Sequence, residues 1–257
     1  NQAVIPGGEH TALAVVRSLG KKNIESTVIS ENPQALAFSS KYCTRLVISD
    51  TTTDVFSGFT KDDIVMPVLE DQMLELAKHR SSFQCAMAFP EYSVLEKASN
   101  KKTVLERARE LNIPCPETFF FKDSDNCRAE FEDLKTSLQF PAVIKPYRGH
   151  GGEGVSFIDS ADPVIDRCKE TVRKCGPVMV QEKIPYNERY SVAVIMNFDQ
   201  EIRLSCVLKE LRYFPVDSGP STCVESIHRP DLVAYAQDIL ESLNFYGIAE
   251  LDFINDS

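Results

Sequence analysis

The stretch Pro141-Ala142-Val143-Ile144-Lys145-Pro146-Tyr147-Arg148-Gly149-His150-Gly151-Gly152-Glu153-Gly154-Val155 carries the clearest chemistry in the chain. Lys145 interrupts an apolar run of strand character, and an ammonium withdrawn from water needs an anionic partner. Gly149, Gly151, Gly152 and Gly154 follow at once. A glycine hairpin between two strands can turn its backbone N–H groups toward phosphate oxygens. A solvated lysine on an edge strand beside a loose hairpin is the plainer reading, but it leaves the glycines unexplained, whereas phosphate binding accounts for both features. The stretch is not a Walker loop, because no Gly-Lys-Ser/Thr closes it. It does spell Gly-x-Gly-x-x-Gly, yet Val155-Ser156-Phe157-Ile158 reads as a strand where a dinucleotide turn needs a helix.

Two other segments place acids on strands. Val178-Met179-Val180-Gln181 is an apolar run that ends in Glu182, followed by Lys183-Ile184-Pro185. In Glu250-Leu251-Asp252-Phe253 acids alternate with apolar residues, and the strand period of two turns both carboxylates to one face. An exposed acidic strand is the alternative, against which the apolar neighbours speak. No Ser-His-Asp or Cys-His set appears, so no side-chain nucleophile is expected.

These residues need strands to hold them, and the sequence supplies strands in two textures. Up to Phe89-Pro90, short apolar runs at residues 3–5, 27–29, 46–48, 64–66 and 85–89 are interleaved with helical patterns at 11–19 and 71–79. That rhythm predicts βαβ units on a parallel sheet. Gly7-Gly8 reads as a tight strand-to-helix turn, since neither a third glycine nor a well-placed acid completes a dinucleotide fingerprint. From Glu91 the pattern changes. A helix is expected over 94–111, amphipathic and packed despite Lys97, Lys101, Lys102, Arg107 and Arg109. A strand over 118–121, a helix over 129–138, strands over 142–145 and 155–158, a helix over 163–175 and a strand over 178–182 follow. The last part gives strands over 190–196 and 202–208, a Pro/Gly/Ser-rich loop over 215–221, a helix over 231–243 and a strand over 248–254. The expected fold is α/β followed by α+β: a Rossmann-like domain over 1–90 and a second domain of two α+β lobes over 91–257.

Taken in order, Asn100-Lys101, Ile144-Lys145-Pro146, the glycine hairpin, Gln181-Glu182-Lys183-Ile184, Tyr190-Ser191-Val192, Lys209 with Arg212, and Glu250-Leu251-Asp252-Phe253 resemble the ATP-grasp superfamily. The resemblance covers residues 91–257 as the nucleotide-binding region, and the first 90 residues look like the Rossmann-like domain that precedes it in many members. Lys209-Glu210-Leu211-Arg212-Tyr213-Phe214-Pro215 through Gly219-Pro220-Ser221 looks like carboxylate-amine ligases related to the large subunit of carbamoyl-phosphate synthase. The resemblance implies that Lys101, with Lys102 its rival, and Lys145 contact the phosphates of ATP under a lid that includes Gly149, Gly151 and Gly152. It implies that Glu182 accepts from the adenine amino group, that the backbone at Lys183 and Ile184 completes the adenine contacts, and that Glu188 stands near the ribose. Lys209 and Arg212 would bring positive charge to the γ-phosphate or an acyl phosphate. Asp252, with Glu250, would hold Mg2+, a hard cation suited to one or two carboxylates, phosphate oxygens and water. The family's second magnesium carboxylate and its asparagine lie on a strand after the last one here, so the natural chain is expected to continue beyond Ser257.

The activity this implies is Mg2+-dependent activation of a carboxylate by ATP as an acyl phosphate, which an amine then attacks. Phosphorylation of bicarbonate or carbamate is the neighbouring alternative. A non-catalytic nucleotide-binding module is a third reading, and a dinucleotide oxidoreductase is the most distant one. Composition narrows the partners. A net charge of -10 over 257 residues disfavours a nucleic-acid ligand, and 43% hydrophobic with 26% charged residues is a globular mixture. The eight cysteines include no Cys-x-x-Cys pair, no leader-like segment opens the chain, and no apolar run approaches the roughly 18 residues that span a bilayer. A cytoplasmic protein with small-molecule substrates is therefore expected. Its oligomeric state is left open, with a homodimer among the arrangements the sequence admits.

Overall fold

The computed structural model describes residues 1–49, 53–123, 127, 131, 137–149, 152, 154–214 and 219–256. The chain divides into two compact units, residues 1–96 with 245–248 and residues 97–244 with 249–257. In the first unit, strands β1 (Ala3–Pro6), β2 (Ser26–Ser30), β3 (Arg45–Ile48), β4 (Ile64–Val65) and β5 (Ala86–Met87) form one sheet in the order β3-β2-β1-β4-β5. Every described pairing in it is parallel. All described residues of β1 and β2 are buried, which is why both strands read as unbroken apolar runs. Helix α1 (His10–Gly20) closes on the sheet with Ala12 and Val16 against Ile5 and Val28. Gly8 is a packing glycine, because a Cβ there would stand 2.3 Å from that of Ala35. Short helices α2 (Thr53–Phe56) and α3 (Glu70–Lys78) complete the alternation, so the α/β class expected from the sequence is observed.

Helix α4 (Tyr92–Ala98) and helix α5 (Lys101–Glu110) correct the single helix expected over 94–111. The break has a local cause. Asn100 takes extended backbone angles, and its side chain accepts from the Lys102 amide at 3.0 Å, an N-cap that starts a new helix. Lys101 thus becomes the first helical residue, and its own amide donates to the Tyr147 carbonyl at 2.9 Å.

The second unit holds two antiparallel sheets. Strands β6 (Thr118–Phe121), β7 (Ala142–Pro146), β8 (Ser156–Ile158) and β9 (Val178–Glu182) lie in the order β6-β9-β7-β8. Residues of β7 alternate, with Ala142, Ile144 and Pro146 buried and Val143 and Lys145 half-buried on the other face. The buried face packs on helix α6 (Val164–Cys175) through Val164 and Cys168, in a core shared with Phe121, Ile158 and Val180. Most of the helix expected over 129–138 and most of the loop expected over 215–221 lie outside the described residues.

The other sheet takes strands β10 (Tyr186–Met196), β11 (Ile202–Tyr213), β12 (Ser221–Ile227) and β13 (Gly247–Asp256) in the order β12-β11-β10-β13. Tyr190, Val192, Val194 and Met196 form its buried face, and helix α7 (Pro230–Ser242) contributes Leu232, Ala236, Ile239 and Leu240 to the core. Pro230 at the first turn suits a helix start, where its missing N–H costs nothing. Residues Arg189, Ser191, Ala193 and Ile195 alternate with that set and define the opposite face. Strand β12 was not expected. Its sequence, Ser-Thr-Cys-Val-Glu-Ser-Ile, lacks an apolar stripe because it is an edge strand whose residues are exposed or half-buried.

Candidate active site

Lys145 is where strand and loop meet. It sits opposite Met179 of β9, one residue before the buried Pro146, and the chain then turns into the glycine segment. Desolvation, then repulsion from Lys101, lowers its ammonium to about 8, while attraction to Asp252 pulls the other way. Lys145 is thus a half-buried cation that feels both a second cation and an acid. Such a group is held short of its full hydration, and an arriving polyanion supplies what it lacks.

Lys101 brings that second cation. Its Nζ donates to the Gly149 carbonyl at 2.6 Å, which ties the start of α5 to the loop. Lys102, its rival by sequence, turns elsewhere: its Nζ pairs with Glu106 at 3.5 Å and lies over the Phe120 ring at 5.1 Å. Of the loop glycines, Gly151 lies outside the described residues. Gly149, Gly152 and Gly154 all have positive φ (120°, 84° and 69°). At Gly154 a side chain would also meet Pro146 Cγ at 2.7 Å, so this glycine lets the loop return against the end of β7.

The acids of β13 lie on the sheet face away from α7. Ser191 of β10 donates its hydroxyl to Glu250, which fixes Glu250 on the Arg189/Ser191 face, and Asp252 shares that face by the period of two. Desolvation and then the Glu250 carboxylate raise Asp252 above the usual carboxylate range, opposed by Arg189, Lys101 and Lys145. Both acids keep exposed surface, which leaves them open to an incoming ligand. Leu251, between them, turns inward against the core of α5 and α7. Among the described residues no group of three or more His, Cys, Asp or Glu side chains could hold a metal ion. A cation here would therefore take Asp252 and Glu250 together with oxygens of its own ligand and water, a set that suits magnesium.

The remaining expected residues fall at the edges. Glu182 is half-buried at the end of β9, and its Oε1 accepts from the Glu117 amide at 2.7 Å, while its own amide donates to the Glu117 carbonyl at 3.1 Å. The Lys183 amide is engaged by the Pro141 carbonyl at 2.9 Å, its side chain lies over Phe157 at 4.9 Å, and Ile184 is half-buried beside it. Lys209 is not brought to the acids of β13. It pairs opposite Tyr190 in the strand register, on the α7 face, and its ammonium bonds Glu188, which also accepts from the Tyr190 hydroxyl. Those hydrogen bonds, Lys209 first, hold Glu188 below the usual carboxylate range. Arg212 is exposed beyond a bulge between Glu210 and Arg212. Arg189, a residue for which the sequence offered no role, lies instead on the sheet face of these acids. A cavity of about 350 Å³ beside the start of α7, lined by Cys206, His228 and Arg229 among others, contains none of these candidates.

A basic strand-and-loop on one sheet thus lies within electrostatic reach of an acid-bearing strand, β13, of the other. The sequence matches the ATP-grasp domain over residues 106–256. The chain belongs to the ATP-grasp family. No curated protein matches it closely enough to count as a relative. Among solved structures of this fold it is similar to N5-carboxyaminoimidazole synthetase from Staphylococcus aureus complexed with ADP (12% identity, TM-score 0.75, covering 99% of this chain and 66% of that one). It is also similar to N5-carboxyaminoimidazole ribonucleotide synthetase from Thermotoga maritima (18%, 0.69, 98% and 64%). A third is L-amino acid ligase from Bacillus licheniformis (13%, 0.69, 100% and 64%). At these identities the likeness is one of fold, and the chain spans 64–66% of the length of these three proteins.

Proposed function

We propose that this chain carries the nucleotide site of an ATP-dependent ligase: the γ-phosphoryl group passes to a substrate carboxylate, ADP leaves, and an amine displaces phosphate from the acyl phosphate to form a C–N bond. One observation carries this reading: Lys145, half-buried at the end of β7 just before the glycine segment, is within electrostatic reach of both Lys101, which bonds the Gly149 carbonyl, and Asp252. In this reading Lys145 and Lys101 hold the phosphates, the latter exchanging the Gly149 carbonyl for a phosphate oxygen. The amides of Gly149, Gly151 and Gly152 close over them, and Glu182 receives the adenine amino group beside the Lys183 carbonyl and the Ile184 side chain. Asp252 and Glu250 hold Mg2+, which would neutralise charge on the phosphates. No side-chain nucleophile is needed, because positioning and electrostatics supply the rate.

Residues 1–90 act in this proposal as the Rossmann-like domain that precedes the nucleotide-binding region. The eight free cysteines, and the absence of any helix among the described residues long and apolar enough to cross a membrane, fit a cytoplasmic setting. The solved proteins of this fold named above are, by their names, ligases and synthetases, which favours C–N bond formation over a non-catalytic module. A panel of carboxylates incubated with MgATP and hydroxylamine tests the reaction. Carboxylate-dependent ADP release with formation of a hydroxamate is the expected result, whereas failure to bind MgATP at all would overturn the proposal.

A further inference from the structure

Arg189 has no part in the site as the sequence describes it, yet its surroundings are built. It lies directly opposite Glu210 across β10 and β11, and its Nε stands 3.3 Å from Glu210 Oε2. The Glu210 side chain is only 7% exposed, and Oε2 has no hydrogen bond of good geometry although it is buried. The guanidinium also lies over the Tyr213 ring, 4.5 Å from its centre, and the Tyr213 hydroxyl donates to the Glu210 carbonyl at 3.0 Å. An arginine held by a carboxylate on one side and an aromatic face on another has lost much of its freedom before any ligand arrives, so binding a second anion costs it little further ordering.

The direction in which it is held matters. Arg189 shares the sheet face of Ser191, and Ser191 bonds Glu250, so Arg189 projects on the side that carries Glu250 and Asp252. Its charge reaches Asp252, as do those of Lys101 and Lys145. Lys209, one position from Glu210, projects to the other face and is neutralised by Glu188. A guanidinium also offers several donors in a fixed fork, of which the ion pair with Glu210 uses only part.

We propose that Arg189 is a third cationic ligand of the nucleotide's polyphosphate, contacting it from the β10 side while Lys101 and Lys145 contact it from the loop side, with Glu210 and Tyr213 as positioning residues. This rests on the nucleotide site proposed above. It assigns to this face a role that Lys209 and Arg212 were expected to fill.

Calorimetric binding of MgATP and of adenosine to the whole chain tests it, with wild type, Lys145→Ala, Arg189→Lys, Arg189→Gln and the double variant Arg189→Gln/Glu210→Gln. The double variant leaves no orphaned buried charge, so it separates ligand contact from folding. Arg189→Gln and the double variant should each weaken MgATP by about tenfold or more, the scale of one charge-assisted hydrogen bond, and Arg189→Lys should recover part of that. Adenosine affinity should stay within about twofold, because adenosine carries no phosphate. MgATP affinity unchanged in the double variant would overturn the inference, as would equal losses for MgATP and adenosine, the mark of a merely structural role. If Lys145→Ala abolishes MgATP binding while the double variant keeps it, the nucleotide site stands and only the Arg189 assignment fails. If wild type binds no MgATP, both fall.

Discussion

Replacing Lys145 by methionine should make the unligated protein more stable while destroying its response to nucleotide. The lysine's ammonium is lowered from 10.5 to about 8. The unfolded chain therefore binds the Lys145 proton more tightly than the folded one, and stability rises with pH between those two values. Below pH 8 the charged lysine costs the folded state up to about 3.4 kcal/mol, from 2.5 pH units at about 1.4 kcal/mol each. At pH 9.5 the same arithmetic leaves about 1.4 kcal/mol, and above 10.5 the cost vanishes. Lys145→Met keeps the stem and removes the charge, so urea unfolding at pH 7 should show a gain approaching that ceiling, shrinking by more than half at pH 9.5. In the same samples MgATP should stabilise wild type and leave the variant unmoved. A variant less stable than wild type at pH 7, or a difference that does not change with pH, would refute the reasoning that this cation is held short of hydration for a ligand.

Other consequences follow from the same geometry. Asp252→Asn should also raise the melting temperature of the unligated protein at neutral pH, because the folded carboxyl is raised and its penalty is present only where it is ionised. The gain should fade as pH drops through that raised value, while MgATP affinity falls and adenosine affinity holds. Gly154→Ala forces a side chain into positive φ and against Pro146, and should cost about 1–2 kcal/mol or more in denaturant unfolding together with loss of nucleotide response. Glu182→Ala removes the acceptor of the exposed Glu117 amide, which water can replace, and should cost only about 0.5–1.5 kcal/mol without ligand, whereas Glu182→Gln, which keeps an acceptor, should cost less.

Much of this molecule is legible in its sequence, and the illegible parts have physical causes. Strands β1, β2, β7 and β9 announce themselves because burial on both faces or one demands apolar runs or clean alternation. Lys145 is legible for the converse reason, a charge where the pattern asks for none. Strand β12 escapes because an edge strand with no buried stripe carries no periodic signal. The break between α4 and α5 escapes because helical spacing continues through Ser99-Asn100. Asparagine at 100 followed by lysines was the available hint of a cap. Lys209 stands out by likeness to the family, whereas the face it takes is fixed by register. Once Arg189 is seen opposite Glu210 and Tyr190 opposite Lys209, the two cations go to opposite faces, and pairing across strands is information that a single sequence does not print.

The central claim is a nucleotide site built on Lys145, and thermal unfolding of the whole chain with MgATP, MgADP and NAD, wild type against Lys145→Ala, tests it most directly. Ligand at about one hundred times its dissociation constant should stabilise wild type by roughly 2.7 kcal/mol. Stabilisation by the adenine nucleotides but not by NAD, lost in the variant, is the expected result. Equal stabilisation of wild type and Lys145→Ala, or a response to NAD alone, would contradict the account.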